Sequence, residues 1–137
     1  MDSRLSGGCH CGAIRYRVIL PVHLPAYCHC RSCRRVAGAH AVAWFTVPVR
    51  ELQFGALRPT EYHSSPGVTR THCSACGTTL TYWNETDPDT IDVTVASLDA
   101  PALAPPGKHI WMEDSVTGDG PNDGLPRFPQ GSGSGSA

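Results

Sequence analysis

The sequence predicts a mostly β domain stapled by metal. Short runs alternate apolar and polar residues, no segment sustains a helical period, and all seven cysteines fall in three tight clusters. Alternation at every second residue turns one face of a strand toward a core. Fourteen glycines and twelve prolines supply turns, and 40% apolar composition suits a loop-rich globular chain. At 137 residues the simplest organisation is one domain over residues 1–130. The Gly-Ser repeat at 131–137 then reads as a linker-like tail.

The clearest strand spans 13–20, with Ile14, Tyr16, Val18 and Leu20 on one face and Arg15 and Arg17 on the other. Pro21 and Pro25 punctuate the link to a short strand that enters Cys28. Residues 32–36 allow one helical turn, stopped at Gly38. A strand over 41–47 carries Trp44 and Phe45 and ends at Pro48. Further strands are expected at 51–54, 60–64, 68–72, 77–83 and 90–98, where Thr, Val and aromatic residues gather. From Pro101 onward Pro and Gly dominate, so this tail is expected to wrap the sheets as irregular coil.

The formal net charge is −1 and Lys108 is the only lysine, so no basic stripe marks a nucleic-acid partner. The start of the chain lacks an apolar core of the kind that directs secretion. No apolar run approaches the roughly 20 residues that cross a bilayer. A cytoplasmic protein without a membrane partner is expected. Its reducing surroundings favour metal or catalysis over disulfides for closely spaced cysteines.

The clusters are Cys9-His10-Cys11, Cys28-His29-Cys30-Arg31-Ser32-Cys33 and Cys73-Ser74-Ala75-Cys76. Cys28, Cys30 and Cys33 can supply three thiolates from one loop. Cys9, Cys11, Cys73 and Cys76 remain to close a second site across more than sixty residues. Four thiolates make a closed tetrahedron of the structural kind, whereas three leave a corner for chemistry. Zn2+ suits both sets, and iron in the four-thiolate set stays open because softness alone does not separate the two metals. Disulfides fit an odd count poorly, and a thioredoxin-like role for Cys73 and Cys76 lacks its βαβ setting. The sharper rival is a histidine that completes the trio and makes it structural. His10, His29, His40 and His72 all lie near a ligand turn.

Several segments taken together resemble a known family. They are Gly7-Gly8-Cys9-His10-Cys11-Gly12-Ala13-Ile14-Arg15-Tyr16, then Cys28 to Arg35, then Cys73-Ser74-Ala75-Cys76-Gly77-Thr78. Leu98-Asp99, His109-Ile110-Trp111 and Asp123-Gly124-Leu125-Pro126-Arg127-Phe128 extend the likeness. The chain resembles the glutathione-dependent formaldehyde-activating enzymes, which include the centromere protein V relatives. The resemblance implies a β-tent fold of small sheets. It also implies a structural zinc on Cys9, Cys11, Cys73 and Cys76, and a catalytic zinc on Cys28, Cys30 and Cys33. The implied activity is that of a carbon–sulfur lyase, joining glutathione and formaldehyde as S-(hydroxymethyl)glutathione. His72 departs from the pattern, standing where relatives often carry an aromatic residue.

Under this reading a thiol such as glutathione, or a similar small thiol, meets formaldehyde or a related electrophile at the trio. Three thiolates already leave a zinc site at −1, so a weakly held, exchangeable ion is expected there. Arg34 and Arg35 follow the ligand loop and suit the substrate's carboxylates. Trp44, with Phe45 and Trp111, is a candidate wall. His109 is the acid–base candidate by its chemistry. Two other readings use the same residues: a non-catalytic zinc module that binds a protein, and a lyase or hydrolase of another small thiol adduct. Nothing in the pattern sets an oligomeric state.

Overall fold

A computed structural model describes residues 4–19, 21–116 and 122–132. Leu20, the first three residues, 117–121 and the end of the Gly-Ser tail at 133–137 lie outside the described residues. Two sheets carry the fold. The smaller has the order β1-β2-β5, from Arg4–Gly8, Arg15–Ile19 and Leu52–Phe54. The larger runs β10-β3-β4-β9-β8-β7-β6. Its strands are β3 His23–Cys28, β4 Val42–Pro48, β6 Thr60–Ser65, β7 Val68–His72, β8 Thr79–Asn84, β9 Thr90–Thr94 and β10 His109–Ile110. One α-helix, α1 Arg31–Ala37, is present among the described residues, and none is long and apolar enough to cross a membrane.

The mostly β expectation holds, and the expected helical turn is real. Its stop at Gly38 is a left-handed cap with φ 63°, whose N–H bonds the Arg34 carbonyl. Two strands had no signal in their own residues. β1 is Arg-Leu-Ser-Gly-Gly, a poor strand by propensity. It forms because it pairs antiparallel with β2, setting Leu5 opposite Val18 and burying it. The short β10 lies in the Pro-rich tail, which was expected as irregular coil but also forms 3-10 turns at Pro101–Leu103 and Met112–Asp114. It runs parallel to β3 with His109 opposite Tyr27. The strand expected over 90–98 stops at Thr94. There Ser97 Oγ donates to the Thr94 carbonyl at 2.9 Å and Thr94 Oγ1 to Ser97 Oγ at 2.8 Å, favouring a 3-10 turn over the ladder.

Strand β4 separates two cores by alternation. Phe45 and Val47 face the larger one with Val18, Leu80 and Val93, all fully buried. Val42 and Trp44 face the other, with Ala26, Cys28, Cys33 and Ile110. Each core contains one of the cysteine groups: Cys9 and Cys73 belong to the first, and Cys28 and Cys33 to the second.

One buried carboxyl makes stability depend on pH. Burial pushes Asp92 up to about 6, against the opposing effect of Thr46 Oγ1, which donates to it at 2.7 Å. A carboxyl that holds its proton more tightly in the fold than in the unfolded chain, near 3.8, favours folding at low pH and loses that advantage as pH rises through 6. The swing is on the order of 3 kcal/mol. Asp92→Asn is therefore expected to raise Tm, by a margin that grows as pH rises from the unfolded value of 3.8 through about 6 and then levels off. A margin that stayed flat with pH would assign the effect to packing.

Candidate functional site

The seven sulfurs assemble as four and three. Sγ atoms of Cys9, Cys11, Cys73 and Cys76 all lie within 4.8 Å of one another, as do those of Cys28, Cys30 and Cys33. Two turns of like construction build the first set. Cys9 N–H bonds the Ile14 carbonyl at 3.0 Å, and Cys73 N–H bonds the Thr78 carbonyl at 3.1 Å. Each turn reverses at a left-handed glycine, Gly12 (φ 81°) or Gly77 (φ 82°). His10 N–H donates to Thr78 Oγ1 at 3.0 Å and ties one turn to the other.

The first set suits a tetrahedral ion. Zinc–sulfur bonds near 2.3 Å give a tetrahedron edges of about 3.8 Å. Cys9 and Cys11 sulfurs stand 3.6 Å apart, and those of Cys11 and Cys73 stand 3.8 Å apart. Backbone donors already point at sulfur: Ile14 N–H at Cys9 (3.2 Å), and Ala75 and Cys76 N–H at Cys73 (3.4 and 3.5 Å). The Thr78 hydroxyl, 3.3 Å from Cys76 Sγ, is the main cause that draws that thiol down to about 5.

The second set is built on the end of β3 and the start of α1. Cys30 is the helix N-cap, and its Sγ accepts the Cys33 N–H at 3.3 Å. Bonding among the three sulfurs shares their protons unequally. Cys28 and Cys33 together hold Cys30 down at about 2, while the bond to Cys30 pushes Cys28 far up. The thiolate is the form that binds a metal.

No histidine or carboxylate among the described residues joins the trio. His29, between two of its cysteines, turns its ring away to a buried chain. Its Nε2 meets His109 Nδ1 at 2.9 Å, and His109 Nε2 meets Asp123 Oδ2 at 2.7 Å. With Asp123 ionised and His109 neutral, His109 donates to the carboxylate and accepts from His29. Burial lowers the His29 pKa, and the bond from His109 lowers that of Asp123. His109 is fully buried and stacks on Tyr27 at 4.9 Å.

A cavity of about 320 Å3 opens beside the trio. Trp44, Tyr82 and Trp111 form its aromatic part, and its cations are Arg31 and Arg70. Trp111 adopts φ 58°, a left-handed conformation that bulky residues rarely hold and that recurs at functional sites. A larger groove of about 650 Å3 runs past the end of α1 toward the four-sulfur turns. Small residues line much of it and Arg15 is already paired with Asp99, so the smaller cavity is the stronger candidate.

The sequence-predicted residues fall into three groups. All seven cysteines converge as expected, and Trp44 lines the cavity. Phe45 does not; it is one strand position along and faces the larger core. Arg34, Arg35 and His109 are not among the cavity's lining residues either. Arg34 and Arg35 occupy the last turn of α1, where they complement the negative end of the helix dipole. At 1.5 Å of rise per residue they stand about one turn beyond Arg31. His72, like His10 and His40, joins neither sulfur group.

Arg70 is the site residue that sequence reading missed. It shares a face of β7 with Val68 and is 4% exposed. A guanidinium at an inward strand position was the available signal, since buried cations need anionic partners. Only the fold brings Cys33, 37 residues earlier, against it.

Comparison with known proteins agrees with this geometry. The family model described as glutathione-dependent formaldehyde-activating enzyme matches residues 4–114. The chain belongs to this family. It is 30% identical over 120 residues to a Halomonas elongata protein named "Putative glutathione-dependent formaldehyde-activating enzyme". The alignment covers 80% of this chain and 76% of that protein. The crystal structure of a Rhodobacter sphaeroides protein matches with a TM-score of 0.60 at 23% identity, over 90% of this chain and 98% of the other. That likeness bears on the fold alone.

Proposed function

We propose that this family member is a zinc-dependent carbon–sulfur lyase that adds a glutathione-type thiol to formaldehyde or a related small electrophile at the three-cysteine site. One arrangement supports the reading above all: three sulfurs at the junction of β3 and α1 border a cavity with aromatic walls and two guanidinium groups, and among the described residues no fourth protein ligand joins them. Cys9, Cys11, Cys73 and Cys76 would hold a second, structural zinc. A wholly thiolate donor set suits zinc, and the observed sulfur spacing fits it.

A zinc held by Cys28, Cys30 and Cys33 would supply Lewis acidity that favours the thiolate form of the incoming thiol. The thiolate lone pair forms the new C–S bond, the C=O π pair moves to oxygen, and that oxygen takes a proton. Trp44, Tyr82 and Trp111 shield the sulfur from water. Arg31, on the first turn of α1, meets a carboxylate of the thiol. Arg34 and Arg35, a turn further out, are proposed for the distal carboxylate of a tripeptide thiol. His109 acts on the loop through His29 rather than on substrate. Free thiolates call for a reducing compartment, and the cytoplasm is the one proposed.

The rival non-catalytic zinc module needs a fourth protein ligand on the trio, and the described residues offer none. The test is direct. With zinc-loaded protein, glutathione and formaldehyde, hemithioacetal formation followed by exchange NMR is expected to exceed the uncatalysed rate. No acceleration with glutathione would remove the reading for that thiol. Acceleration with a different low-molecular-weight thiol would instead identify the adduct.

A further inference from the structure

Arg70 carries a full charge in a place that should repel it. It is 4% exposed, and among the described residues no carboxylate forms an ion pair with it. Its guanidinium is held from three sides. Nε donates to Ser64 Oγ at 3.1 Å, the group lies over the Tyr82 ring at 4.9 Å, and Nη1 and Nη2 both reach Cys33 Sγ, at 3.7 and 3.8 Å. A buried cation persists only where an opposite charge meets it. The group Arg70 meets here is the Cys33 sulfur, which is an anion when it holds a metal.

Charge at the trio explains what such a group does. Three thiolates around a divalent ion total −1, and a fourth thiolate from substrate brings the site to −2. Arg31 is exposed, so solvent screens its contribution. Arg70 is buried against the sulfur and is screened far less. Its fork is also fixed in direction, by Ser64 on one side and the Tyr82 face on the other, so the charge cannot swing away.

We propose that Arg70 is a positioning residue of the three-cysteine site: its guanidinium holds the Cys33 sulfur in place and offsets the site's surplus negative charge, so that the trio keeps its ion while admitting an anionic substrate. This rests on the reading of the trio as a metal centre open to a thiol. Outer partners of this kind typically alter metal affinity by about 10–100-fold when removed.

The test compares wild type with Arg70→Met, Arg70→Gln and Arg70→Lys. Zinc-loaded protein is treated with a graded chelator to take the weaker ion, and the emptied site is refilled with Co2+. The weaker ion is expected to bind about 10–100-fold less tightly in Arg70→Met and Arg70→Gln, with the tighter ion unaffected. The sulfur-to-cobalt charge-transfer band should move to lower energy, because the thiolate has lost a cation that stabilised it. Arg70→Lys keeps the charge but not the fork, and should recover part of both effects.

Unchanged affinity and an unmoved band in Arg70→Gln overturn the proposal. Equal losses in the Gln and Lys variants with the band unmoved do so too, because Arg70 would then only pack. Should Arg70→Met fail to fold, Arg70→Gln, which retains a donor for Ser64, carries the comparison. A wild type that binds a single ion refutes the metal-centre reading itself, a result distinct from any effect of Arg70.

Discussion

Cys11→Ser is expected to leave the protein unfolded under conditions where wild type is stable. Structural zinc on four thiolates contributes on the order of 10–16 kcal/mol of apparent binding free energy, all of it available only to the folded chain. The net stability of a typical domain is roughly 5–15 kcal/mol, so losing one ligand removes an amount comparable to the whole. The position of the set makes this loss hard to absorb. Cys9 and Cys73 are buried in the larger core beside Ile14, Tyr16 and Leu80, and an ion held by the set would join turns more than sixty residues apart. Cys11 itself is exposed, so replacing it creates no cavity and tests the ligand alone. Circular dichroism with a count of bound zinc decides the matter: a folded variant that melts like wild type would show that the four sulfurs are not a staple. Treating wild type with a strong chelator should reproduce the unfolding.

Cys30→Ser is expected to do the opposite, ending turnover while the fold survives. Cys30 caps α1 with its sulfur, and serine is itself a preferred N-cap, so the helix start keeps its acceptor for the Cys33 N–H. Cys28 and Cys33 are deeply buried and would be worse places to cut. What serine cannot replace is the thiolate, the form in which a cysteine holds a metal ion. Zinc content should fall from two ions to one, and hemithioacetal formation should return to the uncatalysed rate with Tm little changed. Full turnover in this variant would move the chemistry away from the trio. The two substitutions form a pair: identical chemistry, Cys to Ser, with the outcome set by whether the sulfur belongs to the staple or to the open site.

Much of this was legible in the chain because it is local. Spacing within each cluster limits which sulfurs can share an ion, and a period-two run marks β2, as an apolar run ended by Pro48 marks β4. What stayed hidden is equally specific. β1 was invisible because Gly7 and Gly8 become strand only through pairing with Tyr16 and Arg15. Arg34 and Arg35 follow Cys33 directly in the chain, and only the helix shows that they stand about one turn beyond the cavity that Arg31 borders. His109 was an acid–base candidate by its chemistry alone, and only the fold shows it buried between Tyr27, His29 and Asp123.

The linear order of residues was enough to divide seven cysteines into four and three, because ligands on one turn need only short-range geometry to converge. It was also enough for the class of fold and for the helix stop at Gly38. Which side chains face the trio had to wait for the folded molecule. Arg70 reaches Cys33 only because β7 and the start of α1 approach across the second core, and Asp123 reaches His109 only because the tail folds back along β10. Contacts between distant segments depend on strand order and on how sheets pack, and neither is written in the spacing of any one motif.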